Sequence, residues 1–151
     1  MKTEENIAPF HPGRYNTLPM DEQEQLFHKA LEARQKAYTP YSGFKVGAAL
    51  LLDNPRDIIT GCNVENASYG ATVCAERNAL FTAIARYGTI SVARIMVVTD
   101  ASPPAVPCAL CLQVIQEFCP PSTPIHLASL QGIERTLTLG ELLPHPFSSF
   151  S

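Results

Sequence analysis

The sequence predicts an α/β fold, a mixed sheet with helices on both faces, and three observations carry that reading. The elements run α, β, β, α, β, α, β, with "RTLTL" as a candidate last strand. After an opening hairpin, strands alternate with helices, the pattern of crossover connections within one sheet. Val92–Thr99, "VARIMVVT", is a nearly continuous apolar run, as expected of a strand covered on both sides. Only the turn "NPRD" separates the strand Phe44–Asp53 from the strand Ile58–Val64, so these two pair as an antiparallel hairpin.

Each element has its own signal. Residues 1–18, with Gly13 and prolines among polar residues, read as an irregular N-terminal arm, and residues 19–151 as a single domain. Pro19–Tyr38 reads as a helix: Leu26, Phe27, Ala30, Leu31, Ala37 and Tyr38 fall on one side at helical spacing. Asp21, Glu22 and Glu24 crowd its first turns, where the helix dipole favours acids. "TPYSG" ends it and turns the chain into the hairpin, and "ENASYGAT" is a loop after the hairpin. Cys74–Tyr87 is a helix with Ala75, Ala79, Leu80, Ala83 and Ile84 facing inward, stopped by Gly88. The loop "DASPPAVP" follows the buried strand. Cys108–Phe118 is the next helix, burying Leu112, Val114, Ile115 and Phe118. Pro124–Ala128 is a strand, and Glu141–Ser151 a tail broken by Pro144 and Pro146.

Composition narrows the function. Apolar residues make up 46% of the chain and charged residues 17%, which suits a globular core rather than a disordered chain. No apolar run is long enough to span a membrane, and the polar N-terminus lacks a signal core, so a cytoplasmic protein with no membrane partner is expected. The net charge is −3 and no basic block runs along any element, which argues against nucleic acid and for a small substrate. Five cysteines, an odd number, argue for thiol or metal chemistry rather than a disulfide framework.

The cysteines are not scattered. Cys74 opens one helix, and Cys108 and Cys111 open another, each just after a loop. Unpaired N–H groups and the dipole at a helix start favour a thiolate, the form that binds metal. Alone, a C-x-x-C pair is a weak signal that also fits a redox couple, half of a structural zinc site, or coincidence. With Cys74 added, three soft ligands and one open position form the pattern of a catalytic zinc, one ion per subunit. Glu76, two residues past Cys74, is placed to take a proton from water at the open position and pass it on. Arg77 is placed to donate hydrogen bonds to the sulfurs and draw charge from them. Cys62 and Cys119 read as small apolar fillers, and His11, His28, His126 and His145 are assigned no metal role.

C-A-E followed by P-C-A-L-C matches the zinc-deaminase signature. Together with "AYTPYSGFKVGAALL", "TGCNVENASYGATVCAERNALFTAI", "PCALCLQVIQEF" and "ELLPHPF", it resembles the small homotetrameric cytidine deaminases of the zinc-dependent cytidine/deoxycytidylate deaminase superfamily, from about Leu18 to Phe147. The resemblance implies a three-layer α/β/α sandwich around a five-stranded mixed β-sheet, and a homotetramer whose active sites are completed by neighbouring subunits. By motif position it makes Cys74, Cys108 and Cys111 the zinc ligands and Glu76 the proton shuttle. It places Asn63 and Glu65 on the ribose 3′-hydroxyl, Phe44 on the pyrimidine, and the Ala75 backbone N–H on the base carbonyl. Phe147 matches an aromatic reaching into a neighbour's site, and Tyr41 and Tyr69 match positions near the subunit contact. Asn63 and Glu65 alternate along an extended segment and so face one side. The second motif departs from the usual P-C-G-x-C-R-Q: Ala109 stands for the glycine and Leu112 for the arginine.

The expected reaction is hydrolysis of cytidine and 2′-deoxycytidine to uridine and 2′-deoxyuridine, with release of ammonia, in pyrimidine salvage. The sugar grip makes free cytosine a poor expected substrate. Two other readings stand beside it: a deaminase of a modified cytosine nucleoside, and a zinc-bound scaffold without catalysis.

Overall fold

The structure is a computed structural model and describes residues 21–149. The expected N-terminal arm, residues 1–18, lies outside the described residues, as does Pro19. The described elements are α1 (Glu22–Gln35), β1 (Gly47–Asn54), β2 (Arg56–Cys62), α2 (Ala75–Tyr87), β3 (Ser91–Val98), α3 (Ala109–Gln116), β4 (Pro124–Ser129), β5 (Gly132–Thr138) and α4 (Leu139–Leu142).

The five strands form one mixed sheet in the order β2-β1-β3-β4-β5. β1 is antiparallel to both β2 and β3, β3 is parallel to β4, and β5 is antiparallel to β4. It follows that β2, β3 and β4 run in one direction. Strand alternation divides the core in two. Ala48, Leu50, Leu52, Ile95, Val97, Ile125 and Leu127 pack with Ala79, Leu80 and Ala83 of α2 and with Leu112 and Ile115 of α3. On the other face Ala49, Leu51, Met96 and Val98 pack with Leu26 and Ala30 of α1. The molecule is therefore the expected three-layer α/β/α sandwich around a five-stranded mixed sheet.

This topology fixes where a site can form. α2 follows β2 and α3 follows β3, so both crossover helices start at the carboxyl edge of the parallel strands. Crevices outside that edge are where open α/β sheets bind ligands. The first turn of α2 also lies directly on β2, because Gly61 has no side chain: a Cβ there would stand 2.4 Å from Ala75 O and 2.5 Å from Ala79 N.

Several boundaries differ from the sequence reading, each for a local reason. α1 starts after Asp21, whose side chain accepts from Glu24 N at 2.8 Å. It stops at Gln35 rather than Tyr38, because Tyr38 pairs with the segment after β2: Tyr38 N donates to Asn63 O at 3.0 Å and Glu65 N to Tyr38 O at 2.9 Å. Tyr38 is 56% exposed, not part of the inner face. β1 starts at Gly47 rather than Phe44, since the Ser42 and Asn63 side chains take the bonds at Phe44 N, Phe44 O and Val46 N that a strand partner would take. β2 ends at Cys62, and Val64 continues the extended path by bridging Tyr38 and Val73. The last strand is longer than "RTLTL", and Leu139 leaves it to begin α4. That short helix, absent from the sequence reading, is closed by a capping box between Thr138 and Glu141.

Candidate active site

Two helix starts build the centre of the site. Cys74 is the N-cap of α2 and Cys108 the N-cap of α3, while Cys111 lies one turn into α3 and is fully buried. Cys74 Sγ and Cys108 Sγ are 4.0 Å apart, Cys108 Sγ and Cys111 Sγ 3.5 Å, and all three sulfurs lie within 4.8 Å of one another. A tetrahedral zinc with Zn–S bonds of about 2.3 Å separates its sulfurs by about 3.8 Å. The trio fits that ion, and the separations are far too long for disulfides. Among the described residues it is the one cluster of this kind.

One of the three thiols is held toward the thiolate, the form that binds metal. Cys74 is drawn down to about 5, first by a hydrogen bond from Cys111 and then by Arg77. Cys111, donating that bond from a buried position, is pushed well up. Arg77 Nη2 lies 3.6 Å from Cys74 Sγ and donates to Thr72 O at 3.4 Å, while its buried Nε has no hydrogen-bond partner among the described residues. Glu76 is 4% exposed, and burial pushes its carboxyl up to about 7, with the Cys74 charge adding to the effect. A buried carboxyl poised near neutrality is suited to accept and release a proton.

In front of Glu76 lies a cavity of about 280 Å³. Cys74, Cys108, Glu76, Phe44, Asn63 and Glu65 all line it. The structure thus brings together most of the residues singled out in the sequence. Val64 is bridged to Tyr38 on one side and Val73 on the other, and this extended pairing sets Asn63 and Glu65 on one face. Ala75 is buried in the first turn of α2. Phe147 does not line this chain's cavity. Its ring is 58% exposed, and its backbone is docked on α3, where Gln113 Nε2 donates to Phe147 O at 2.7 Å and Phe147 N donates to Gln113 Oε1 at 3.2 Å. Tyr41 and Tyr69 meet edge to face at 5.9 Å and, with Ser42, Glu65 and Thr72, line an adjoining hollow.

Cys119 is buried as expected of a filler, but Cys62 is only half-buried at the end of β2. Ala109 in place of glycine needs no special backbone, since no described non-glycine residue has positive φ. Leu112 points into the core shared with α2. The sequence reading missed Ser42, Thr72, Thr99 and Val106 as cavity residues. Thr99 Oγ1 accepts from Ala101 N and Ala105 N, each at 3.4 Å, and so ties down the loop that delivers Cys108. Asn78 was also missed: its Nδ2 donates to Cys62 O at 2.8 Å and joins α2 to the end of β2. In the sequence Ser42, Thr72, Thr99 and Asn78 look like ordinary polar groups of loops, a strand end and a helix, and Val106 like a loop residue; only the fold brings them to the site.

Three cysteine sulfurs at zinc spacing beside a buried carboxyl match the arrangement of the zinc-dependent deaminases. Residues 20–127 match the model of the cytidine and deoxycytidylate deaminase zinc-binding region, and the chain belongs to that family. A cytidine deaminase of Halalkalibacterium halodurans is 48% identical over 130 residues, covering 86% of this chain and 96% of that protein. One of Sporosarcina psychrophila is 46% identical, covering 83% and 90%. Among solved structures, the cytidine deaminase of Burkholderia pseudomallei is 47% identical with a TM-score of 0.77, covering 82% of this chain and 98% of that one.

Proposed function

We propose that this chain hydrolyses cytidine and 2′-deoxycytidine to uridine and 2′-deoxyuridine, releasing ammonia, as a cytoplasmic enzyme of pyrimidine salvage. The observation that carries this reading is the buried Glu76 beside three sulfurs at zinc spacing, opening on a cavity that also holds Phe44, Asn63 and Glu65. Its relatives of similar length bear the name cytidine deaminase.

Cys74, Cys108 and Cys111 hold zinc, which supplies a Lewis acid that makes water nucleophilic near neutral pH. Glu76 takes the proton from the attacking water, delivers it to N3 of the base, and then helps protonate the amine leaving C4. Cytidine and water thereby become uridine and ammonia. Phe44 offers an aromatic face to the pyrimidine, and the Ala75 N–H, in the first turn of α2 where such groups lack helical partners, meets the base carbonyl. Asn63 and Glu65 grip the sugar 3′-hydroxyl. Their own bonds leave room for it. Glu65 accepts from Tyr41 N, Ser42 N and Ser42 Oγ, which leaves one of about four carboxylate acceptor positions. Asn63 Nδ2 donates to Phe44 O, which leaves one N–H. One acceptor and one donor suit a single hydroxyl.

The homotetramer belongs to the same proposal. Tyr41, Tyr69, Val106, Leu110 and Phe147 are at least half exposed on the loops and helix that frame the cavity. Apolar exposure of this kind marks an interaction surface, and Phe147, docked on α3 away from its own cavity, is the residue that reaches a neighbour's site. The test is direct: cytidine incubated with the purified protein shows the ultraviolet spectral change of conversion to uridine, and Glu76→Gln retains zinc but abolishes the change. A zinc-loaded protein that turns over no cytosine nucleoside contradicts the proposal and favours the silent scaffold.

A further inference from the structure

We infer that Ser42 is a positioning residue that sets Phe44 against the substrate base; the assignment rests on the reading of the cavity as a nucleoside site. The loop between α1 and β1 forms one wall of that cavity, and its residues Ser42–Val46 belong to no helix or strand. Backbone bonds hold Gly43 N to Thr39 O and Asn63 N to Val46 O, but Phe44 is held by side chains on both sides. Ser42 Oγ donates to Glu65 Oε1 and accepts from Phe44 N at 3.0 Å. Asn63 takes the other side: its Nδ2 donates to Phe44 O at 2.8 Å, and its Oδ1 accepts from Val46 N at 2.8 Å. Both peptide groups of Phe44 are thus fixed by side chains that line the cavity.

The order of these bonds matters. A serine hydroxyl has one proton and two lone pairs. The Glu65 carboxylate, acceptor only, claims the proton, which turns a lone pair toward the Phe44 N–H. Tyr41 N and Ser42 N also donate to Glu65 Oε2, at 2.9 and 3.2 Å, so the carboxylate holds two consecutive backbone amides of the loop as well as the Ser42 hydroxyl. Phe44 is 40% exposed and absent from both core clusters, so the backbone rather than core packing sets the direction of its ring. Of the three side chains in this relay, Ser42 alone is assigned no contact with substrate. Its removal therefore isolates the placement of Phe44.

Ser42 bonds to Glu65 and Phe44, both read as substrate contacts, so the effect belongs in substrate binding. Ser42→Ala is expected to raise KM for cytidine about tenfold, the effect of losing a hydrogen bond tied to a charged group, with kcat within about twofold of wild type. Ser42→Thr, which keeps the hydroxyl, is expected to restore KM. In a Phe44→Ala background the further change to Ser42→Ala is expected to leave kcat/KM within about twofold, since coupled residues lose their effect together. An unchanged KM in Ser42→Ala, a failure of Thr to rescue, or an undiminished effect without Phe44 each overturns the assignment. The last outcome would move the role to Glu65 and the sugar. A lowered kcat and a lowered melting temperature without a KM change would make Ser42 merely structural and overturn the assignment. Wild-type protein that binds zinc but does not deaminate cytidine overturns the nucleoside reading itself, and the Ser42 assignment with it.

Discussion

Arg77 Nη2 lies 3.6 Å from Cys74 Sγ, one turn along the same helix. The guanidinium bears on the sulfur cluster from outside the cavity, since Arg77 is not among the residues that line it. Three thiolates put much negative charge on one ion, and a donor that withdraws some of it lets the ion acidify water more strongly. Arg77→Gln is expected to cost about 10- to 100-fold in zinc affinity or turnover, with the melting temperature of the zinc-loaded protein little changed. Chelator competition and initial rates check this; full activity with undiminished zinc affinity dismisses the role.

The grip on the sugar predicts discrimination. A site with buried polar groups made for a hydroxyl rejects an analogue lacking it by about 10⁴-fold. The kcat/KM of cytidine is expected to exceed that of free cytosine by roughly this factor, and Glu65→Ala is expected to shrink the ratio by at least about tenfold. Asn63→Ala should also destabilise the fold by about 1–3 kcal/mol, because it strips partners from Phe44 O and Val46 N. Chemical denaturation measures the second effect independently of the first.

How the hairpin docks on α2 can be tested by pH. Asp57, on β2, accepts from Tyr87 Oη at 2.5 Å and pairs with Arg86 at 3.3 Å, both on α2. The Tyr87 hydroxyl is the main cause holding its carboxyl below the usual range. A carboxyl whose folded pKa is depressed stabilises above its unfolded value and loses that contribution as pH falls through the folded value. Asp57→Asn is therefore expected to cost up to about 1 kcal/mol at neutral pH, given its partial exposure. The difference should close as the pH drops below about 4. A gap that stays constant down to low pH contradicts the assignment.

Gly61 predicts a packing cost. A methyl group there meets the backbone of α2 rather than a yielding side chain. Gly61→Ala is expected to destabilise by about 1–3 kcal/mol or more, as overpacking does. Because the displaced turn carries Cys74 and Glu76, turnover should fall as well. A variant as stable and active as wild type would show that α2 does not bear on β2 as described.

Much of this was legible in the sequence because the metal motifs coincide with helix starts. Cys74 and Cys108 both proved to be N-caps, so the residues that carry the chemistry also mark the boundaries of α2 and α3. The hairpin followed from the short turn "NPRD", and the buried β3 from its nearly continuous apolar run. What escaped was held by side chains across long sequence gaps. "FKVGAALL" has the pattern of a strand from Phe44, but Asn63, 19 residues on, takes the bonds at Phe44 and Val46 that a neighbouring strand would otherwise take. Tyr38 has the spacing of a helix face, yet the segment after β2 takes it instead. The capping box of α4 was present as "TLGE" and was masked by the glycine within it and the prolines that follow.

The central claim is that Cys74, Cys108 and Cys111 hold a single zinc ion beside Glu76. The most direct measurement is metal content of the purified protein alongside four cysteine variants. The account predicts one zinc per chain in wild type, Cys62→Ser and Cys119→Ala, and loss of zinc in Cys74→Ala and Cys111→Ser. Wild-type protein without tightly held metal, or a zinc content unmoved by Cys111→Ser, would contradict it.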